Sequence, residues 1–376
     1  MILPPATLGI LGGGQLGRYF TLAARDMGYR VIVLDPEADC PAASVADGHI
    51  RAQYDDELAL SELAARCAAV TTEFESVPAE SLRWLAARVP VHPAAEAVAI
   101  CQDRLREKRF LAAHGLPHAA FASVASAEDL AGLDAKLFPA ILKVVRCGYD
   151  GKGQARVRDE QEAAAAFAQL GNEPCVLEQM LTLDAELSVV LARAGDGAVE
   201  CFTASENQHR DGILDISIAP PASIHAGLQA EARSIAAEIA HKLNYVGTLA
   251  VEFFLVGQCL LVNEIASRPH NSGHWTLDAC FVSQFEQQVR ALCGLPLARP
   301  EAHSAAVMVN LLGGLWSPRA PDFGKALRHP GLKLHLYGKK QARSGRKMGH
   351  FTVLGDSVDA ALSLARQVQA EIPQTI

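Results

Sequence analysis

The apolar run at 140–145, Ala-Ile-Leu-Lys-Val-Val, carries a lysine at its centre and leads into a loop, Arg-Cys-Gly-Tyr-Asp-Gly-Lys-Gly-Gln at 146–154. An ammonium in such a run is expensive to bury alone, so Lys143 implies an anion beside it. Gly148, Gly151 and Gly153 let backbone N–H groups approach an anion closely, and Lys152 adds charge among them. The combination asks for a polyphosphate. A Walker A loop is excluded, because position 146 is not glycine and no serine or threonine follows Lys152.

A chain of 376 residues is long enough for two or three domains, each with its own core. Its net charge of −8 argues against nucleic acid as a bulk partner. Nine cysteines form no C-x-x-C pair, so neither a zinc site nor a disulfide framework is indicated, and free thiols suit a reducing cytoplasm. The first 17 residues lack charged side chains, but five glycines, two prolines and no basic leader favour a strand and turn over a signal or membrane span. No other segment is long and apolar enough to cross a bilayer, so a soluble protein is expected.

Residues 7–11 read as a buried strand, followed by a glycine turn at 12–17 and a helix to about Gly28. Further strands at 31–34 and 69–72, with a helix from about Pro78, make a doubly wound parallel unit. Residues 91–93 read as its last strand, ending a first domain at 1–95. A helix spans about 103–114, strands and helices alternate over 120–195, and a long helix runs from about Leu228 to Leu243. Strands at 305–312, 333–337 and 350–354 and a final helix to about Ala370 complete the pattern.

Several motifs carry chemistry. Gly12-Gly-Gly-Gln-Leu-Gly17 fits a dinucleotide turn, with Asp35 where such a fold keeps its ribose-binding acid. Nothing downstream offers hydride chemistry, so a structural turn or small-phosphate site is favoured over a nicotinamide dehydrogenase. Strands at 246–255 and 259–266, joined through 256–258, can set Glu252 and Glu264 opposite one another if the register allows. Facing carboxylates repel unless a cation or proton intervenes, and Mg²⁺ pairs few carboxylates with phosphate oxygens. A register leaving one acid in solvent is the alternative, and the glycine-lysine loop tips the balance to metal. The run at 175–181 is a strand entering a hinge whose backbone can read a purine edge, with Glu186 beyond it for ribose hydroxyls. Ser267-Arg-Pro-His-Asn-Ser-Gly-His274 reads as an oxyanion pocket rather than a zinc site, since Pro269 and Gly273 favour a loop. Five basic residues at 339–347 are either a solvated surface or, with Gly345 beside Arg346, a turn that presents charge to a phosphate.

Taken together these motifs resemble the ATP-grasp superfamily and, within it, the 5-(carboxyamino)imidazole ribonucleotide synthase family. Thr72-Glu-Phe-Glu75, Asp211-Gly-Ile-Leu214, Asn263-Glu264, Arg268-Pro-His-Asn-Ser-Gly-His-Trp275 and Gly345-Arg-Lys-Met-Gly-His350 extend the resemblance over essentially the whole chain. It implies an α/β ATP-grasp fold with an N-terminal doubly wound, Rossmann-like domain at 1–95. An ATP-grasp region at 96–300, its lid at about 120–182, and a strand-rich C-terminal domain at 301–376 would follow.

By that resemblance Arg104, Lys143, the loop Gly148, Tyr149, Asp150, Gly151, Lys152, Gly153 and Gln154, and Glu178, Gln179, Met180, Leu181, Glu186, His209, Asn263 and Glu264 hold ATP. Glu252 and Glu264 carry Mg²⁺, as two ions. Arg268, His270, Asn271, Ser272, Lys339, Arg346 and Lys347 form the pocket for bicarbonate and aminoimidazole ribotide. Gln15, Leu16 and Glu73 reach it from the first domain, and Tyr149, Asp150 and Lys152 close over it. His270, Lys339, Arg268, Asp150 and Lys152 are the implied catalytic set, with Lys340 competing for the role of Lys339. The implied reaction carboxylates the ribotide's exocyclic amine through carboxyphosphate, without biotin, in a cytoplasmic homodimer that binds neither nucleic acid nor membrane. A formate-using ribotide transformylase shares the ATP half but does not need the 267–274 and 345–350 motifs. A non-catalytic nucleotide-binding module would not need Glu252 and Glu264.

Overall fold

A computed structural model describes residues 1–146, 153–317 and 319–372. Four short parallel strands, β1 (Thr7–Leu11), β2 (Arg30–Leu34), β3 (Gly48–Ile50) and β4 (Ala69–Thr72), lie in the order β3-β2-β1-β4. Helices cover both faces, which is why the strands read as nearly unbroken apolar runs. Leu8, Ile10, Val31 and Val33 pack on Phe20 of α1 (Gln15–Asp26), while Ile32, Leu34 and Val70 meet Leu60 and Leu63 of α2 (Glu57–Arg66) and Leu82 of α3 (Ala79–Ala86). The strand expected at 91–93 is reduced to a single bridge between Val70 and Val91. Pro90 and Pro93 lack the N–H groups a longer ladder would need.

Two helices, α4 (Ala95–Cys101) and α5 (Arg104–Ala113), lead out of this unit. The Asp103 carboxylate caps α5 by accepting the Arg106 N–H. Next comes a four-stranded antiparallel sheet, β5 (Phe121–Val124), β6 (Ala140–Val144), β7 (Gln154–Val157) and β8 (Cys175–Gln179), ordered β5-β8-β6-β7 and backed by α6 (Glu160–Gln169).

The largest layer is a nine-stranded sheet. It contains β9 (Ala185–Arg193), β10 (Val199–Cys201), β11 (Ser205–Arg210), β12 (Ile213–Ala219), β13 (Gly247–Val256), β14 (Cys259–Ala266), β15 (Ala305–Leu312), β16 (Leu332–Leu336) and β17 (Lys347–Gly355). Its order is β14-β13-β9-β11-β12-β15-β17-β16, with β10 against β9. The C-terminal strands therefore continue the central sheet through the β12–β15 pairing. Alternate residues Leu249, Val251, Phe253 and Leu255 of β13 pack against α7 (Ala226–Lys242), which leaves Ala250 and Glu252 to the opposite face. Three more helices, α8 (Thr276–Ala279), α9 (Gln284–Leu292) and α10 (Val358–Glu371), complete the chain.

The β13–β14 hairpin has one irregularity. Its turn pairs Val256 with Cys259, and unbroken register would place Glu252 opposite Asn263. A bulge adds one residue on β14, so Glu252 faces Glu264 instead. Because side chains alternate across a strand, that single residue brings both carboxylates to one face. Among the described residues no helix is long and apolar enough to cross a membrane.

Candidate active site

The antiparallel sheet and the central sheet enclose a cavity of about 270 Å³, lined by Ile141, Lys143, Glu178, Gln179, Met180, Leu181, Leu183 and Phe254 among others. Lys143 projects from the middle of β6, as its position in the apolar run requires, and its anion is Glu178 of the neighbouring β8. Lys143 Nζ lies 3.2 Å from Glu178 Oε1, and Lys108 Nζ of α5 lies 3.3 Å from Glu178 Oε2. Burial pushes the Glu178 carboxyl up, but the two ammoniums outweigh it and hold the acid below its ordinary range. Lys108 also donates to the Asn263 carbonyl at 2.9 Å, which ties α5 to the bulged strand. The Gln179 and Met180 N–H groups donate to the Ala120 and Pro139 carbonyls, so these two amides of the expected purine-reading hinge are taken up within the protein. Glu186 Oε2 stands 3.1 Å from His209 Nδ1.

Glu252 and Glu264 sit where β13 and β14 pair. Burial pushes the Glu252 carboxyl up to about 7, and the neighbouring Glu264 and Glu186 charges add to the rise. Arg104, the first residue of α5, reaches Glu264 Oε2 at 3.3 Å. His270 Nε2 lies 3.5 Å from Glu252 Oε1, and the Asn263 side chain donates to Glu252 Oε2 at 3.5 Å. Two crowded carboxylates beside an amide form a hard, oxygen-rich donor set of the kind that suits Mg²⁺.

Beyond His270 the site becomes cationic and reaches the first unit. Arg268 pairs with Glu75, and Arg346 Nη2 lies 3.6 Å from Glu37. Lys339 donates to the Lys347 carbonyl at 2.9 Å, while Lys340 makes an exposed pair with Asp39, so Lys339 is the lysine that turns inward. Burial, with Arg346 nearby, pulls the Lys339 ammonium down to about 8. The glycine turn proves to be closed by the protein's own acids. Gly13 N–H donates to Asp35 at 2.7 Å, and the Gly14 and Gly17 N–H groups donate to the two oxygens of Glu73. That leaves no open cradle for a dinucleotide pyrophosphate, in keeping with the preference for a structural turn or small-phosphate site over a dinucleotide.

Three family profiles match in sequence along the chain: a ribonucleotide synthetase preATP-grasp domain at 5–102, an ATP-grasp domain at 109–285, and a phosphoribosylaminoimidazole carboxylase C-terminal domain at 306–364. The N5-carboxyaminoimidazole ribonucleotide synthase of Brucella melitensis is 47% identical over 93% of this chain and 96% of its own. The enzyme of that name from Bacillus subtilis is 41% identical over 96% of this chain and 94% of its own. The chain belongs to the N5-carboxyaminoimidazole ribonucleotide synthase family. A crystal structure of one such synthetase in its ADP complex superposes with a TM-score of 0.92 at 40% identity, covering 98% of this chain and 97% of that one. The Aspergillus clavatus synthase in complex with ADP and 5-aminoimidazole ribonucleotide gives 0.89 at 30% identity, covering 97% and 98%.

Within this synthase fold Arg104, Lys143, Glu178, Asn263, Glu252, Glu264 and His270 form one connected cluster, and Arg268, Lys339, Arg346 and Lys347 gather beside it. Gly153 and Gln154 anchor the glycine loop, with Gln154 paired to Lys143 across β6 and β7. Gly148, Tyr149, Asp150, Gly151 and Lys152 lie outside the described residues. Four expected ribotide contacts are not presented by their side chains, and one is Glu73, whose two carboxyl oxygens are taken by the glycine-turn N–H groups. Leu16 is buried among Tyr19, Phe285 and Tyr337. Ser272 is fully buried, with its hydroxyl between Ser188 and His270. The Asn271 amide is paired reciprocally with that of Asn310 at 2.7 and 3.0 Å. Gln15 is only partly buried, next to the closed turn.

Sequence reasoning missed Lys108, Asn310 and Gln284. Lys108 follows Arg104 by one helical turn in a stretch dense in charge, which reads as a solvated face. Gln284 holds both the N–H and the carbonyl of His270, at 2.8 and 2.7 Å, and nothing in its sequence context distinguishes it. Replacing Lys108 by Met should leave Glu178 buried with one cation and lower unfolding free energy by about 3 kcal/mol, measured by urea denaturation. A loss below about 1 kcal/mol would show that Lys143 suffices alone.

Proposed function

We propose that the chain uses ATP and bicarbonate to carboxylate the exocyclic amine of 5-aminoimidazole ribonucleotide, forming N5-carboxyaminoimidazole ribonucleotide in purine biosynthesis. The supporting observation is the contact of Glu252 with His270, which joins the nucleotide cavity and its acid pair to the cationic pocket. The first half would take the nucleoside triphosphate and the second the phosphorylated, anionic acceptor.

In this reading ATP lies in the cavity between Ile141, Leu181 and Phe254, with Lys143 toward its phosphates and Leu181 offering the hinge amide that Gln179 and Met180 cannot. Glu252 and Glu264 would hold Mg²⁺, which neutralises phosphoryl charge when bound. The family resemblance suggests two ions. Bicarbonate oxygen attacks the γ-phosphorus as the bond to ADP breaks, giving carboxyphosphate. Phosphate then leaves the carboxyl carbon, releasing CO₂, which the ribotide amine captures as it loses a proton. Arg268, Lys339 and Arg346 supply fixed positive charge to these anions, so the catalytic work is positioning and electrostatic stabilisation. The buried walls limit escape of the labile intermediate to water. No step needs a carboxyl carrier such as biotin. A cytoplasmic homodimer is proposed from the family resemblance.

ADP release from Mg-ATP and bicarbonate should be strongly stimulated by aminoimidazole ribotide and yield an acid-labile product. Release indifferent to ribotide but responsive to formate would keep the nucleotide half and overturn the acceptor. Glu264→Gln should retain the fold by circular dichroism yet lose Mg-ATP turnover by about 100-fold or more. Near-normal turnover would sink the metal assignment. The Lys339 ammonium is protonated below pH 8 and neutral above it, so its attraction for an anionic substrate is present at lower pH and lost as pH rises. Accordingly kcat/KM for ribotide should fall through about pH 8, and Lys339→Arg should remove that limb because a guanidinium keeps its charge. An identical profile in both proteins would exclude Lys339 from it.

A further inference from the structure

Across the sheet face that carries Glu252, strand register sets Ser205 opposite Ser188 and Ser188 opposite Glu252. Behind Ser188 lies a chain of buried polar groups, and Ser205 Oγ, 3.1 Å from Ser188 Oγ, must donate to it because the one Ser188 proton goes to Ser272. Ser217 Oγ donates to Asn207 Oδ1 at 2.8 Å, and Asn207 Nδ2 donates to Ser188 Oγ at 3.0 Å. Ser188 Oγ donates to Ser272 Oγ at 2.7 Å, and Ser272 Oγ lies 2.8 Å from His270 Nδ1. Ser188, Asn207, Ser217 and Ser272 are each no more than 5% exposed.

A hydroxyl has one proton to give. Because Ser272 receives the proton of Ser188, its own is free for His270 Nδ1. The backbone N–H of Ser272, which can only donate, also points to Nδ1, at 3.3 Å. Because that N–H can only donate, Nδ1 is an acceptor, so the ring is neutral and its proton resides on Nε2, with the Ser272 hydroxyl proton directed to the same nitrogen. Nε2 is the atom that faces Glu252.

From this we infer that Ser188, backed by Asn207, is a positioning residue that holds His270 as the Nε2–H tautomer, making His270 a hydrogen-bond donor in the carboxylation site and not its general base. The tautomer stands on the geometry alone; its role in turnover rests on the reaction proposed above. With no lone pair available on the pocket-facing nitrogen, His270 cannot accept the proton that the ribotide amine loses. What it can do is donate to a carboxylate, whether that of Glu252 or one carried by the reacting bicarbonate. The arrangement resembles the way a buried acceptor or donor fixes the orientation of a metal-site imidazole, with a serine relay in that place.

The test is ¹⁵N NMR of histidine-labelled protein, with the His270 signals assigned by their loss in His270→Gln. Wild type should show an unprotonated, pyridine-type Nδ1 and a pyrrole-type Nε2. A protonated Nδ1 would overturn the proposal. Ser188→Ala should shift His270 toward a mixture of tautomers and lower ribotide-dependent kcat about tenfold with ribotide KM unchanged, and Ser188→Thr should restore both. An unchanged tautomer in Ser188→Ala would remove Ser188 from the role. In kinetics, His270→Gln retains an N–H donor but no base, and should stay within about tenfold of wild type, whereas loss of a general base costs about 100-fold or more. A loss of that larger size would overturn the donor role even with the tautomer confirmed. Absence of ribotide-stimulated ADP release in wild type, alongside the expected tautomer, would instead locate the failure in the proposed reaction.

Discussion

The repulsion between Glu252 and Glu264 is the constraint around which the site is arranged. Two acids facing each other on one partly buried face repel at a cost that hydrophobic packing cannot recover. The surrounding groups answer it in kind: Arg104 reaches Glu264, Asn263 and the His270 imidazole lie against Glu252, and Lys108 clamps the bulged strand through its backbone. Even so, Glu252 remains pushed up to about 7. Compensation that stops short of neutralising the pair is what a site for an added cation needs, because full internal pairing would leave nothing for the ion to gain.

Much of the scaffold for this pair is legible in sequence, since strand and turn chemistry are local. The runs at 7–11 and 69–72, the Gly257-Gln258 turn and the helix following Asp103 announce themselves by apolar runs, turn residues and capping. The bulge at Asn263 does not. It changes which face Glu264 occupies while leaving composition and hairpin length untouched, so a sequence offers two acids able to meet without saying that they do. The short β3 and α2 escaped notice for a related reason. Three residues of strand and a helix of mixed polarity take their stability from neighbours rather than from their own pattern.

The glycine turn shows the same limit at a candidate binding site. Its spacing matches a phosphate-binding turn, but the group at the start of α1 is the carboxyl of Glu73, delivered from the end of β4, with Asp35 from the end of β2 beside it. A motif reports that backbone N–H groups converge; it is silent on what they converge upon. Ser272 and Asn271 follow the same logic. Their side chains are the right chemical type for a ligand, yet buried partners on other strands, Ser188 and Asn310, have claimed them.

The junction between units is built differently from the charged cluster. His274, His335 and His350, together with Tyr19 and Tyr337, join α1, the loop after β14 and the C-terminal strands. Asp278, His335 and His350 are the one set of three or more possible metal ligands among the described residues. The rings of His335 and His350 nevertheless lie stacked, 4.5 Å between centroids and 15° between planes. An imidazole binds a metal along a lone pair in its own plane, and near-parallel stacked rings aim those lone pairs side by side rather than at one point. Burial also drives His274 and His350 well below the ordinary histidine range, which leaves neutral rings that can stack without repulsion. Asp278 holds His335 at 2.8 Å and Tyr337 holds His350 at 2.9 Å. The cluster therefore works as an aromatic joint that keeps the C-terminal lysine and arginine turn against the central sheet.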